Sequence, residues 1–145
     1  MKNRLWGVMG EKYAMRKLLL TLMLAVVSSS AVAEWVEVDT SRRVGLTAYA
    51  DPATIRKSDN KVEMWVLYDY KTARTNATKL YMSIKGQWRY DCKKEQQQPI
   101  YEILISGNMG KGEVIGKSIY KESVKWLPVS PESVGMVYWK LACGK

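Results

Sequence analysis

Apolar and polar residues alternate one by one over two long stretches, and this period of two dictates most of the expected fold. Across 61–71 one face carries Val62, Met64, Val66, Tyr68 and Tyr70, the other Glu63, Trp65, Leu67 and Asp69. Such alternation predicts a strand. The next segment is sharper: Leu80, Met82, Ile84, Trp88, Tyr90 and Cys92 oppose Tyr81, Ser83, Lys85, Gln87, Arg89 and Asp91. Parity survives Gly86, so that glycine bends the strand; a bulge would swap the faces.

Weaker alternation predicts strands at 35–38, 46–50, 100–106 and 113–119. Asp51-Pro52, Asp59-Asn60 and the glycine-rich 107–112 read as turns. Residues 51–55 suit one short helical turn, with Asp51 as cap and Pro52 in first position. Successive strands with short connections predict an antiparallel meander of about six strands.

One helix is expected, capped by Ser130, with Pro131 in its first turn and an end near Ala142. Two apolar faces compete on it. Val134, Val137, Tyr138 and Leu141 form one; Met136, Trp139 and Cys143 form the other. If the helix stays regular to Cys143, the Trp139 side lies nearest the sheet; if its last turn unwinds, the Val134 face is buried instead. Apolar surface nearly all round predicts burial on more than one side or sharing with a second subunit, which makes Val134, Val137 and Leu141 the candidate dimer face. The fold class is therefore α+β: a single antiparallel sheet with a C-terminal helix on one face.

Upstream of the first strand, 15–33 reads as a secretory signal. Arg16 and Lys17 form its positive end, 18–27 its apolar core and Ala31-Val32-Ala33 its cleavage site. The apolar run is about ten residues, against roughly 20 for a membrane span, so no transmembrane segment is expected in the mature chain. The start is either Met1 with a long polar lead or Met15. Glu34, not a Cys, stands directly after the cleavage site and no twin arginine precedes the apolar core, which favours the general export route of a bacterium and a periplasmic or outer-membrane location.

A single domain, 34–145, remains. Its 18 Lys and Arg against 13 Asp and Glu leave a charge of +5, smaller than the +9 of the full chain. Pairs such as Arg42-Arg43, Arg56-Lys57 and Lys93-Lys94 are scattered, so they read as a solvated face, and an exported protein is not expected to meet nucleic acid. Cys92 and Cys143 are the only cysteines, and in an oxidising compartment an even pair predicts a disulfide tying helix to sheet. Closing a loop of about 50 residues stabilises a fold by roughly 4 kcal/mol in the chain-entropy model.

No histidine occurs anywhere. Ser-His-Asp and Cys-His mechanisms, His proton shuttles and most zinc or haem sites are thereby removed. No cofactor, metal site or catalytic residue is expected, and carboxylates such as Asp51, Asp69 and Asp91 have turn or strand-surface explanations. Gly107 to Gly112 lacks the GxxxxGK[ST] spacing of a phosphate loop. Trp65, Tyr81 and Tyr101, on outward strand faces, are the candidate recognition surface; alternatively they pack that face against loops.

An ordered set of segments carries a wider likeness: Trp35-Val36-Glu37-Val38, Tyr49 through Ile55, Asn60 through Tyr70, Tyr90-Asp91-Cys92, Trp126 through Pro131 and Cys143. In this order the chain resembles the surface-adhesin protein E family of exported bacterial proteins. The resemblance implies an antiparallel sheet with a disulfide-tied C-terminal helix and a non-enzymatic adhesin. It also implies host extracellular-matrix glycoproteins, such as vitronectin and laminin, as partners. The competing expectations are a periplasmic binder of a small ligand or polysaccharide, which needs a concave aromatic pocket, and a structural envelope protein. Inhibition of a host lysozyme fits the size, but the positive charge disfavours docking on a strongly basic enzyme.

Overall fold

A computed structural model describes residues 34–41 and 44–145. The expected signal (1–33) and Arg42-Arg43 lie outside the described residues. Six strands follow one another in space as in sequence: β1 (Val36–Ser41), β2 (Leu46–Ser58), β3 (Lys61–Asn76), β4 (Lys79–Asp91), β5 (Gln96–Ile105) and β6 (Val114–Ile119). All pair antiparallel, as the short connections require. A two-residue β7 (Leu127–Pro128), with no sequence signal, pairs Gln96 and Gln97 of β5. The helix α1 (Val134–Cys143) packs on one face.

Parity in β3 and β4 is as the alternation predicts. Val62, Met64 and Val66 are buried, facing Tyr90, Trp88 and Gly86. The register passes Gly86 unshifted. A Cβ there would stand 2.9 Å from Trp88 Nε1, so the glycine seats the Trp88 indole. Under the helix the core comprises Ala48, Ala50, Val62, Met64, Val66 and Tyr90 from the sheet, with Tyr138, Trp139 and Ala142 from α1. Tyr68 meets Tyr138 edge-on, centroids 5.6 Å apart. Burial pushes the hydroxyls of Tyr68, Tyr90 and Tyr138 well above the ordinary tyrosine range.

Three local expectations are corrected. Residues 51–55 form no helical turn; β2 continues through them with a wide irregularity, Asp51 facing Trp65 and Arg56 facing Glu63. Asp51 Oδ1 accepts the Ala53 N–H (3.2 Å). Thr54 Oγ1 donates to the Asp51 carbonyl (2.6 Å) and accepts the Trp65 N–H (3.0 Å). A side chain thus replaces the missing ladder bond, and Pro52, lacking an N–H, sits where no donor is needed. The alternation of β4 also fails at its start: between Asp69 and Arg74 the β3–β4 register shifts, leaving Leu80 59% exposed.

The helix begins later than Ser130. Glu132 has φ 58°, a left-handed conformation that interrupts any helix started by Pro131. Ser133 is the cap: its Oγ accepts the Met136 N–H (3.2 Å) and donates to the Ser130 carbonyl (2.6 Å). The helix then runs regularly to Cys143 and closes on left-handed Gly144, with the Lys145 N–H on the Lys140 carbonyl (2.9 Å). Its buried strip lies between the two competing faces, taking Tyr138 from one and Trp139 from the other, with Ala142 between. Val134, Val137 and Leu141 are left half-buried along one flank.

Cys92 and Cys143 are disulfide-bonded, Cα atoms 5.6 Å apart, closing the β4–β5 turn onto the last helical turn. Among the described residues no helix is long and apolar enough to cross a membrane.

Candidate functional site

The sheet face opposite α1 carries the odd-numbered side chains of β3 and β4. The two ends of this face differ. At one end the glycine-rich β5–β6 loop folds back over it. Ser83 Oγ donates to the Gly107 carbonyl (2.6 Å) and accepts the Gly110 N–H (3.1 Å), while Asp69 Oδ1 accepts the Met109 N–H (2.6 Å). Leu67 and Ile105 are buried beneath, so an outward position on β3 becomes a second small core. Gly110 and Gly112 adopt φ of 68° and 107°, which the tight return needs. These loop amides are engaged by Asp69 and Ser83, so the loop is a hairpin connection, as its spacing predicts, and not a phosphate cradle.

The middle of the face holds an aromatic row. Trp65 faces Gln87 on β4, and Gln87 faces Tyr101 on β5. The Trp65 and Tyr101 rings meet edge-on, 6.0 Å apart. The Lys85 ammonium lies over two indoles at once, 5.2 Å from Trp65 and 5.5 Å from Trp35. Trp65 and Tyr101 are half-buried, so loops do not seal them off.

Tyr81 is not part of this row. It stands six residues along β4 from Gln87, roughly 20 Å at strand rise, and meets Tyr70 edge-on at 6.0 Å, with Arg74 over the Tyr70 ring at 5.0 Å. Burial, then the neighbouring Tyr81, holds the Tyr70 hydroxyl above its ordinary range, against the opposing pull of Arg74. Of the three residues singled out in the sequence, the fold therefore joins Trp65 and Tyr101 and separates Tyr81.

At the far end the β2–β3 and β4–β5 turns flank an open cleft of about 470 Å³. Its floor includes Glu63 and Arg89, cross-strand partners whose Oε1 and Nη2 stand 2.7 Å apart, with the Arg89 Nε also donating at 2.9 Å. Asp91 turns its Oδ1 to the backbone N–H groups of Lys93 and Lys94, each at 3.0 Å. Lys61, on the wall, reaches over Trp126 at 5.4 Å. Sequence reasoning missed this cleft because it treated Arg56 and Lys93-Lys94 as scattered. In a meander, alternate turns share one end of the sheet, and that rule brings 58–61 and 91–96 together.

Chemically, the face offers cations, amides and ring surfaces. Among the described residues no three His, Cys, Asp or Glu side chains cluster as metal ligands. The arrangement suits contact with a macromolecule over an open surface.

The fold has known counterparts. The crystal structure of protein E from non-typeable Haemophilus influenzae superposes with a TM-score of 0.52 at 10% identity, covering 80% of this chain and 79% of that one. A further structure of Haemophilus influenzae protein E gives 0.54 at 10% identity, covering 80% and 88%. A second crystal form gives 0.52 at 13% identity, covering 77% and 97%. At such identities the likeness is one of fold. Among curated proteins none matches this chain. The family model of surface-adhesin protein E matches residues 35–144, which is nearly the whole described part of the chain. The chain belongs to the surface-adhesin protein E family.

Proposed function

We propose that this protein is exported, with 1–33 removed as a signal, and acts at the outer-membrane surface as a non-enzymatic adhesin that binds host extracellular-matrix glycoproteins such as vitronectin and laminin. Family membership supports the class of function. The observation that carries the site is the open aromatic row, Trp65 against Tyr101 with Lys85 over the indoles, on the sheet face that α1 leaves free. Large aromatic side chains beside a cation supply contact energy at a protein surface. The competing periplasmic small-ligand reading needs a concave aromatic pocket, whereas the cleft found here is open and walled largely by charged side chains.

Surface-plasmon binding to immobilised vitronectin and laminin tests the proposal, alongside protease accessibility on intact cells. Wild-type protein should bind and be cleaved from outside, and Trp65→Ala with Tyr101→Ala should weaken binding at least tenfold, a loss of about 1.4 kcal/mol or more. A protein confined to the periplasm, or binding unaffected by both substitutions, overturns it.

A further inference from the structure

We propose that the face opposite α1 binds a linear anionic polysaccharide, whose acidic groups meet Lys93 and Lys94 at the wall of the cleft and whose sugar rings lie along Trp65 and Tyr101. The proposal goes beyond the adhesin reading by giving the same face a different class of ligand.

The cleft has more cationic capacity than it uses internally. Glu63 is committed to Arg89, and Asp91 to two backbone amides. With the Glu63–Arg89 pair set aside, the four cations Arg56, Lys61, Lys93 and Lys94 stand against the three carboxylates Asp59, Asp91 and Glu122, an excess of one positive charge. The side chains of Lys93 and Lys94 are exposed, with no hydrogen bond or ion pair among the described residues. Arg56 donates through Nη1 alone, to the carbonyls of Ala53 (3.0 Å) and Ile55 (2.9 Å), so the rest of its guanidinium fork is available to a carboxylate or sulfate.

The aromatic row continues from this cleft without a break. Glu63 and Trp65 point to the same side of β3, about 7 Å apart at strand rise. Gln87, opposite Trp65, leans back with its amide 3.4 Å from Glu63 Oε2. Beyond Trp65 lies Lys85, so positive charge stands on both sides of the rings. Lys85 stands on the far side of the rings from Lys93 and Lys94, an arrangement that a repeating polyanion can bridge and a single small anion cannot.

The composition of the surface selects among polyanions. The exposed large apolar residues, Val36, Val44, Leu80, Val114, Ile119 and Leu127, do not line the cleft, so lipid chains find nothing to enter there. Ring faces beside polar amides suit the apolar faces and hydroxyls of sugars. Individually weak exposed charge contacts add up along a chain of repeating acids.

The test measures binding of the exported protein to a size-defined heparin oligosaccharide, to a carboxylate-only hyaluronan oligosaccharide and to polyglutamate, at low and physiological salt. Heparin or hyaluronan should bind, and the stronger of the two identifies sulfate or uronate as the preferred acid. Affinity should fall as salt rises. Lys93→Ala with Lys94→Ala should lower it about tenfold and flatten the salt dependence. Trp65→Ala should lower it with the salt dependence unchanged, and Lys93→Arg with Lys94→Arg should retain binding. Absence of binding to both polysaccharides overturns the proposal, as does equal binding of polyglutamate or full affinity in the double-alanine variant. Vitronectin binding that persists while both oligosaccharides fail overturns this inference and leaves the adhesin reading standing. Oligosaccharide binding without vitronectin or laminin binding supports this inference and removes that reading.

Discussion

Trp139 donates its indole N–H to the main-chain carbonyl of Asp91 at 2.9 Å, inside the core and one residue before Cys92. The Asp91 carboxylate meanwhile organises the turn that presents Lys93 and Lys94 to the opposite face. One residue therefore links the anchor of the helix to the wall of the cleft. The disulfide and the Lys145 ammonium, 3.4 Å from the Cys92 carbonyl, fasten the same corner.

This triple fastening predicts graded effects. Cys143→Ser should lower stability by about 2–5 kcal/mol in urea unfolding while leaving a folded domain, because Tyr138 and Trp139 still fill the core. Trp139→Phe keeps most of the ring but leaves the Asp91 carbonyl buried without its donor, and should cost about 1–3 kcal/mol. An unfolded Cys143→Ser protein would mean that packing alone does not hold the helix. Free thiols in the unfolded, unreduced wild type would remove the disulfide.

The position of the helix cap can be measured directly. Ser133→Ala should destabilise by about 1 kcal/mol, since it removes the acceptor of the Met136 N–H. Ser130→Ala should be near neutral, because Ser130 contributes its backbone carbonyl to the cap. Equal costs at the two positions would contradict a start at Val134.

Three tyrosines, Tyr90 and Tyr138 in the core and Tyr68 packed against it, set the response to alkali. Burial raises the hydroxyl pKa of Tyr68, Tyr90 and Tyr138 above the unfolded value near 10. Between those values the folded chain binds more protons than the unfolded one, so stability falls as pH rises through that window. Below about pH 10 this contribution is fully present. Absorbance of tyrosinate should therefore rise in two stages: the tyrosines outside this cluster first, then these three together with loss of the fold. Smooth titration of all eight tyrosines of 34–145 without unfolding would refute the buried cluster. Without histidine, the side chain that ordinarily titrates between pH 5 and 8 is absent, so stability should be flat there.

The period-of-two pattern made most of the fold legible, because side chains of a half-buried strand must alternate whatever their partners. Val62, Met64 and Val66 share one face of β3, and Trp88 and Tyr90 one face of β4, on that rule alone, while their pairing across the strands follows from the register the turn sets. Legibility ended where a side chain substituted for backbone. Thr54 mends the β2–β3 ladder across Asp51-Pro52, and no local pattern separates that from a helical turn. The cap lies at Ser133, past left-handed Glu132, a conformation that no local sequence pattern marks. At the candidate site, Trp65 was readable from its strand face, and Lys85 shared that face unnoticed. The cleft depended on two turns meeting at one end of the sheet, a long-range consequence of strand order.

The half-buried flank of α1 can be tested as a dimer face. Val134 and Leu141 pack partly against the core, Val137 is half-buried and Lys140 points outward. A second copy covering this flank would bury the remaining apolar surface and place two aromatic rows in one assembly, multiplying weak contacts into avidity. Because Val137 is outside the fully buried core, Val137→Glu should leave the circular dichroism of the domain intact. If the flank is the interface, light scattering should show half the wild-type mass, since a carboxylate without a partner is costly to bury. A folded variant of unchanged mass removes Val134, Val137 and Leu141 as a dimer face. An unfolded one shows that the flank is sealed within the domain by its own loops.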